Sequence, residues 1–202
     1  MWATTHTVSL QGAQGHLVDV QVDVSGGLAG AVLIGRPDVA ITESRDRCRS
    51  AARNSGFDWP TTKRVTILLS PADLPKRGPH FDLAIAVSVL AAHDAQFPRE
   101  RLERTAFIGE LTLTGGVRCV PGVLPMVMAA AARGIRTVHV PEPQVAEAVL
   151  VEGVDVIGVR SLAQSLAVLQ DRPIPEAPAV EPLCSAPLIS WVGASTGDGG
   201  VP

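Results

Sequence analysis

Three residues of this chain, His80, Asp82 and Glu110, carry side chains from which a hydrolytic site could be built. An imidazole can act as a general base, and two carboxylates can divide the acid and base roles between them. His80 and Asp82 are two residues apart at the start of an apolar helical pattern, a spacing at which helical side chains do not face each other. We therefore expect His80 to be exposed in the first helical turn and Asp82 to cap the helix or interact with its dipole. A residual hydrolase using these three residues is the weaker alternative.

Loops that bind nucleotide phosphates are not indicated by the sequence. Neither Lys63 nor Lys76 follows a Gly-x-x-x-x-Gly-Lys pattern, which a P-loop requires. The glycine-rich stretch 26–30 lies between two strand patterns and not between a strand and a helix, so we interpret it as a turn. We expect this chain to hold neither a cofactor nor a metal ion.

A basic segment indicates a second kind of chemistry, contact with phosphates. Residues 36–77 contain nine basic and five acidic side chains, in a chain whose formal net charge is −3. Such a segment can bind nucleic acid weakly and in a salt-sensitive way. Aromatic residues make up only 3% of the chain and tyrosine is absent, which argues against stacking on single-stranded bases. The candidate DNA-binding residues are Arg36, Arg45, Arg47, Arg49, Arg53, Lys63, Arg64, Lys76 and Arg77.

The elements that must position these residues alternate between strand and helix patterns. Valines at alternate positions in 16–24 predict a strand with one buried face, and Asp38 and Ser161 are suitable N-caps for helices. Because antiparallel strands come first and strand–helix alternation follows, the order favours a mixed α+β domain over a doubly wound sheet. Strands are predicted at 5–10, 16–24, 31–34, 64–69, 106–113, 116–120, 136–140 and 154–159, and helices at 38–56, 81–92, 122–133, 143–149 and 161–169.

Length and composition predict one domain followed by a tail. Of the 202 residues, 46% are hydrophobic, which is enough for an aliphatic core over residues 1–171. Residues 173–202 contain six prolines and four glycines, so we expect 172–202 to be a linker or a disordered tail. Three cysteines without a Cys-x-x-Cys pair, and no apolar run of membrane-spanning length, favour a cytoplasmic protein without a membrane partner.

Seven ordered segments of this chain resemble the N-terminal domain of the ComM/YifB family of Mg-chelatase-like proteins. They are Val24-Ser-Gly-Gly-Leu-Ala-Gly30, Ile34-Gly-Arg-Pro-Asp38, Glu43-Ser-Arg-Asp-Arg47, Asn54-Ser-Gly-Phe57, Ser70-Pro-Ala-Asp-Leu-Pro-Lys-Arg-Gly78, Phe81-Asp-Leu-Ala-Ile-Ala86 and Gly109-Glu-Leu-Thr-Leu113.

The resemblance implies a fold, a parent activity and partners. The domain is similar to the proteolytic domain of Lon protease, with a mixed sheet and packed helices like those of a ribosomal-protein second domain. The family continues into an AAA+ ATPase module, for which ATP and Mg²⁺ are implied, and its ComM members resemble hexameric helicases of DNA branch migration in natural transformation. Ring contacts between copies of the chain follow from the same resemblance.

Both members of the Lon catalytic dyad are replaced in this sequence. The Lon nucleophile is a serine after a Pro-Lys-Asp-Gly-Pro stretch, whereas here Pro75-Lys-Arg-Gly-Pro79 is followed by His80. The Lon lysine corresponds to Leu124, which has no proton to exchange. We therefore expect a non-catalytic domain in which Lys76, Gly78 and Asp82 are structural or interface groups. Because the segment 183–202 does not resemble the family's continuation, we also expect a truncated member that lacks the ATPase module.

Overall fold

A computed structural model describes residues 1–176 as an α+β domain built on one seven-stranded mixed sheet. The strand order is β3-β4-β2-β1-β5-β8-β9, and β6 and β7 form a separate two-stranded ladder. The part of the predicted tail from residue 177 onward lies outside the described residues. The strands are β1 (Trp2–Gln11), β2 (Gln14–Ser25), β3 (Gly30–Ile34), β4 (Arg64–Ser70), β5 (Thr105–Phe107), β6 (Glu110–Leu111), β7 (Val117–Arg118), β8 (Thr137–Pro141) and β9 (Asp155–Val159). The helices are α1 (Val39–Asn54), α2 (Asp82–His93), α3 (Arg99–Arg104), α4 (Val123–Ala132), α5 (Val145–Ala148) and α6 (Leu162–Leu169).

The sheet has two antiparallel pairings, β1–β2 and β2–β4, and its other neighbouring strands, including β3 and β4, pair in parallel. β1 and β2 form a long hairpin that pairs Trp2 with Asp23 and Gln11 with Gln14. β2 pairs antiparallel with β4, whereas β1 pairs parallel with β5, and β5, β8 and β9 continue in parallel. This confirms the α+β domain predicted from the order of the elements and the mixed sheet that the resemblance implies.

Helices cover both faces of the sheet and form two aliphatic cores. The larger core joins α1, α2 and α6 to the inward residues of β2 and β4, including Val20, Val22 and Ile67. The smaller core joins α4 and α5 to Val8, Ile108 and Val138 on the opposite face. Every residue of α2 except its last, His93, is buried, which explains why its sequence, apart from Asp82 and Ser88, is apolar on all sides instead of amphipathic.

Two helix starts confirm the predicted caps. The Asp38 carboxylate accepts the backbone N–H of Ile41 at 2.9 Å and so begins α1. The Ser161 hydroxyl accepts the N–H of Gln164 at 3.1 Å and begins α6. Asp82, in contrast, does not cap α2, whose N-cap residue is Phe81.

The structure adds one helix to the predicted elements and corrects two others. Helix α3 was not predicted, because its sequence, Arg-Glu-Arg-Leu-Glu-Arg, offers only one buried apolar residue, Leu102. The predicted strand 106–113 is two strands, since the chain leaves the main sheet after Phe107 and pairs again only at Glu110–Leu111. The predicted helix 143–149 is a 3₁₀ turn followed by the four residues of α5.

The two described cysteines are in different states. Cys48 is free and buried, and its thiol donates to the carbonyl oxygen of Asp82 at 3.2 Å. Cys119 is disulfide-bonded, which does not favour the reducing compartment predicted from the cysteine count. Within residues 1–176, none of the helices has the length and apolar character needed to cross a membrane.

Candidate functional site

The loop that carries the Lon-like motif is held in place by buried polar contacts. Lys76 is fully buried and its ammonium group donates to the carbonyl oxygen of Pro71. Burial lowers the pKa of Lys76, while Asp73 raises it to a lesser extent. The backbone N–H of Gly78 donates to Asp38 at 3.0 Å, which ties the loop to the start of α1. The motif lysine, Lys76, is therefore buried and bound within its own loop.

His80, which follows the Pro75-Lys-Arg-Gly-Pro79 stretch, is buried, so the prediction of an exposed histidine is wrong. Its side chain is only 5% exposed, and Nε2 lies 2.8 Å from the carbonyl oxygen of Val8, to which it donates. Burial lowers the pKa of His80, and the contacts with Val8 and Asp38 oppose that shift. The imidazole therefore anchors the start of α2 to β1.

The buried Asp82 carboxylate forms an ion pair with the half-buried Arg47 of α1. Two guanidinium nitrogens donate to the two carboxylate oxygens, Nε to Oδ2 at 2.8 Å and Nη2 to Oδ1 at 3.0 Å. The N–H of Leu111 donates to Oδ2 at 3.2 Å. Burial raises the pKa of Asp82 to about 6, and the bonds to Arg47 oppose that rise. The pair joins α1, α2 and the β6 segment.

Glu110, from the hydrolase hypothesis, and Leu124, at the second dyad position, lie in other parts of the fold. Glu110 lies 3.8 Å from Arg118 in the β6–β7 ladder. Leu124 is half-buried in the first turn of α4. His80, Asp82 and Glu110 share no hydrogen bond among the described residues, since each has the separate partner given above. Residues 1–176 also contain no group of three or more metal-ligating side chains that could hold a metal ion.

Four of the nine basic candidates line two neighbouring cavities beside α1. A cavity of about 230 Å³ is lined by Arg45, Arg49 and Lys63, and an adjoining cavity of about 550 Å³ by Arg49 and Arg53. The two cavities share Arg49, Trp59 and Thr61. We call this surface the α1 groove and its four basic side chains the groove cations: Arg45, Arg49, Arg53 and Lys63.

The groove cations outnumber the carboxylates around them. Asp46 and Asp58 line the groove, and Asp46 lies 3.3 Å from Arg45 while Asp58 lies 3.2 Å from His93. The three arginines of α1 are exposed and four residues apart, so they project from one side of the helix, about 6 Å apart along its axis. A row of this kind matches repeated negative charges on a polymer.

The remaining basic candidates are placed outside the α1 groove. Arg47 is bound to Asp82, and Lys76 is buried. The Arg36 guanidinium donates to the carbonyl oxygen of Asp73 at 3.0 Å. Arg64, at the start of β4, and Arg77, in the motif loop, are exposed. The count of basic residues in 36–77 could not separate these roles, whereas the spacing 45, 49 and 53 was visible in the sequence.

Comparison with known proteins identifies the family. The family model described as "Subunit ChlI of Mg-chelatase" matches residues 20–144. An uncharacterized protein of Mycobacterium tuberculosis is 49% identical over 158 residues, which cover 78% of this chain and 31% of that protein. The competence protein ComM of Haemophilus influenzae is 44% identical over 128 residues, 63% of this chain and 25% of that protein.

A more distant relative matches the Lon part of the resemblance. The Lon protease of Roseiflexus castenholzii is 31% identical over 116 residues, 57% of this chain and 14% of that protein. The chain thus spans about a third or less of the length of these three relatives. On the extent of the family match and its similarity to ComM and YifB proteins, the chain belongs to the Mg-chelatase ChlI family, as a counterpart of the N-terminal domain of its ComM/YifB members.

Proposed function

We propose that this chain is a non-catalytic, Lon-like domain that contacts DNA through the α1 groove. In ComM/YifB-type proteins it would serve as the DNA-contacting neighbour of an ATPase module, in which ATP hydrolysis and branch migration take place. The observation that carries the proposal is the row of groove cations on one exposed side of α1.

Three features support the non-catalytic part of the proposal. One dyad position is His80, which is buried and donates to a backbone carbonyl oxygen. The other is an aliphatic residue, Leu124. The neighbouring Asp82 carboxylate is occupied by Arg47 and the N–H of Leu111. A nucleophile needs a base within hydrogen-bond reach, and neither position supplies one.

The DNA-contacting part rests on charge, geometry and composition together. Three arginines along about 12 Å of helix axis can each meet a phosphate of one duplex strand. Lys63, which precedes β4, adds a fourth charge to the groove. Trp59, the aromatic residue shared by the two cavities, is buried against the larger core and is not presented for base stacking. These properties favour contact with the sugar–phosphate backbone of duplex DNA, without sequence preference.

The test is the salt dependence of duplex binding. Association constants for a fluorescent duplex would be measured at several salt concentrations for the wild type, Arg49→Ala and Arg133→Ala. Arg133 is an exposed arginine at the end of α4 and serves as a matched control for charge. With four contacts, the slope of log K against log[salt] is expected near roughly −3.6 for the wild type, and Arg49→Ala should reduce it by roughly 0.9.

Equal slopes for Arg49→Ala and Arg133→Ala would contradict the proposed groove, and binding insensitive to salt would contradict phosphate contact altogether. The non-catalytic part is tested separately with a fluorogenic peptide or ester. Hydrolysis that is lost in His80→Ala, in a variant whose unfolding midpoint stays near that of the wild type, would show residual hydrolase activity instead.

A further inference from the structure

A second cationic cavity lies away from both the α1 groove and the Lon-like motif. It has a volume of about 470 Å³ and opens where β5 and β8 begin, beside α3 and the end of α6. This volume is in the range of sites for small organic molecules. We call it the α3 cavity. The residues that line it include Arg101, Arg104, Arg136, His139, Ile157 and Leu169.

Three guanidinium groups converge on this cavity from different elements. Arg101 and Arg104 belong to α3, and Arg136 precedes β8, where its backbone N–H donates to the carbonyl oxygen of Arg104 at 3.1 Å. This backbone bond brings two of the arginines side by side. One carboxylate, Glu100, also lines the cavity. The excess of positive charge, and the planar donor sets that arginine provides, favour an oxyanion.

Two of the three arginines already have acidic partners. Arg101 lies 2.7 Å from Asp171 at the end of α6, and Arg104 lies 3.1 Å from Glu100, both in exposed pairs. Exposed pairs of this type contribute little and exchange partners readily. Arg136 has no ion pair among the described residues, and its strand neighbour Thr137 adds a hydroxyl to the same wall. Arg136 is therefore the arginine whose charge a ligand would satisfy first.

The floor of the cavity combines a buried imidazole with apolar side chains. His139 is 2% exposed, and its Nδ1 lies 2.8 Å from the Ser165 hydroxyl. Burial lowers the pKa of His139 to about 4, so the ring is neutral near pH 7. A neutral ring that accepts the Ser165 proton at Nδ1 carries its own proton at Nε2, where it can donate to a ligand. Ile157 and Leu169 supply the apolar wall.

We propose that the α3 cavity binds a small organic oxyanion, a molecule with a phosphate or carboxylate group attached to an apolar body. The oxyanion contacts Arg136 and Arg104, while the body packs on Ile157 and Leu169. A cavity of this volume is too small for a duplex, so this ligand class differs from the partner of the α1 groove.

Phenyl phosphate tests both halves of this ligand chemistry. Its affinity would be measured by calorimetry beside that of inorganic phosphate and phenol, and the imidazole resonances of His139 would be followed by NMR. Phenyl phosphate should bind more tightly than either fragment and shift the His139 resonances. Arg136→Ala should weaken it about tenfold or more, since a charge-assisted hydrogen bond is lost. Arg133→Ala and Arg49→Ala are the controls and should leave the affinity unchanged.

Three outcomes would overturn the proposal. The first is the absence of saturable binding by phenyl phosphate to the wild-type chain. The second is an equal affinity of Arg136→Ala and Arg133→Ala. The third is a loss of phenyl phosphate affinity in Arg49→Ala that is as large as the loss in Arg136→Ala, which would place the anion in the α1 groove. Because Arg136 is exposed, its alanine variant should unfold at the wild-type midpoint, which is checked by circular dichroism.

Discussion

Replacement of Arg47 by methionine tests the buried ion pair that joins α1 to α2. In the wild type, the Asp82 carboxyl has a pKa of about 6 because burial raises it and Arg47 partly counteracts that rise. Methionine keeps the apolar stem but removes both guanidinium bonds, so the pKa of Asp82 rises further. At pH 7 the buried carboxyl of the variant then takes up a proton. This costs about 1.4 kcal/mol for each unit by which the solution pH exceeds the carboxyl's unfolded pKa.

The magnitude can be worked out from these values. Protonation at pH 7 of a carboxyl whose ordinary pKa is 3.8 costs about 4 kcal/mol of folding free energy. In the wild type, the rise of the pKa of Asp82 to about 6 already costs about 3 kcal/mol of this. The difference of about 1 kcal/mol adds to about 2 kcal/mol for the lost charge-assisted hydrogen bonds. Arg47→Met should therefore lower the free energy of unfolding by about 3 kcal/mol at pH 7, at the low end of the range for broken buried pairs.

The pH dependence gives the second part of this prediction. A carboxyl whose folded pKa lies above its unfolded pKa binds more protons in the folded state, so its contribution to stability is full below about pH 4 and is lost as the pH rises through about 6. At about pH 5 Asp82 is mostly protonated in both proteins, and the loss on Arg47→Met should shrink by about 1 kcal/mol.

Denaturant unfolding of Arg47→Met, followed by circular dichroism at pH 5 and pH 7, measures both effects. The control is Arg45→Met, two residues earlier on α1, whose exposed pair with Asp46 should contribute less than about 0.5 kcal/mol. A loss below about 1 kcal/mol at pH 7, or a loss of the same size at both pH values, would refute the reasoning.

Three further predictions concern a glycine, a cap and a thiol. Gly35→Ala should destabilise the fold by more than roughly 2 kcal/mol in denaturant unfolding, because the new Cβ would lie 2.2 Å from the Leu69 carbonyl oxygen. Gly12→Ala is the control, and because Gly12 lies in an open turn it should cost only about 1 to 2 kcal/mol in the same assay. Asp38→Ala should cost about 1 to 2 kcal/mol by loss of the α1 cap and the Gly78 contact, whereas the exposed Asp46→Ala should be nearly neutral, and equal losses would contradict the assignment. Cys48 should resist maleimide at pH 8 in the folded chain, since burial raises the pKa of its thiol, and rapid labelling without denaturant would contradict this.

Local patterns were sufficient to predict most of the fold. From Val18 to Val24 the valines of β2 are buried and the polar residues between them are exposed or half-buried, and this produces a visible period of two. The caps Asp38 and Ser161 act within three residues of their own position, so their role can be read from the neighbouring sequence. The break between β5 and β6 was missed because it depends on how the chain leaves the main sheet after Phe107, which no local pattern records.

The candidate site was less predictable, because its contacts are long-range. His80 was expected to be exposed, but its partner is a carbonyl oxygen 72 residues earlier in the chain. Arg47 was grouped with the DNA-binding candidates, and only the packing of α1 on α2 shows that it binds Asp82, 35 residues away. The groove cations could be anticipated in part from the four-residue spacing on α1, whereas Lys63 joins them only through the fold.

Mapping of the contact surface by NMR tests the central proposal most directly. A short duplex would be titrated into the isotopically labelled chain at low salt, and backbone and arginine side-chain shifts would be followed. The proposal predicts the largest changes at Arg45, Arg49, Arg53 and Lys63, with recovery of the free spectrum as salt is added. Shifts confined to another surface, such as the exposed edge of β3, with the α1 groove unchanged at saturating duplex, would contradict it.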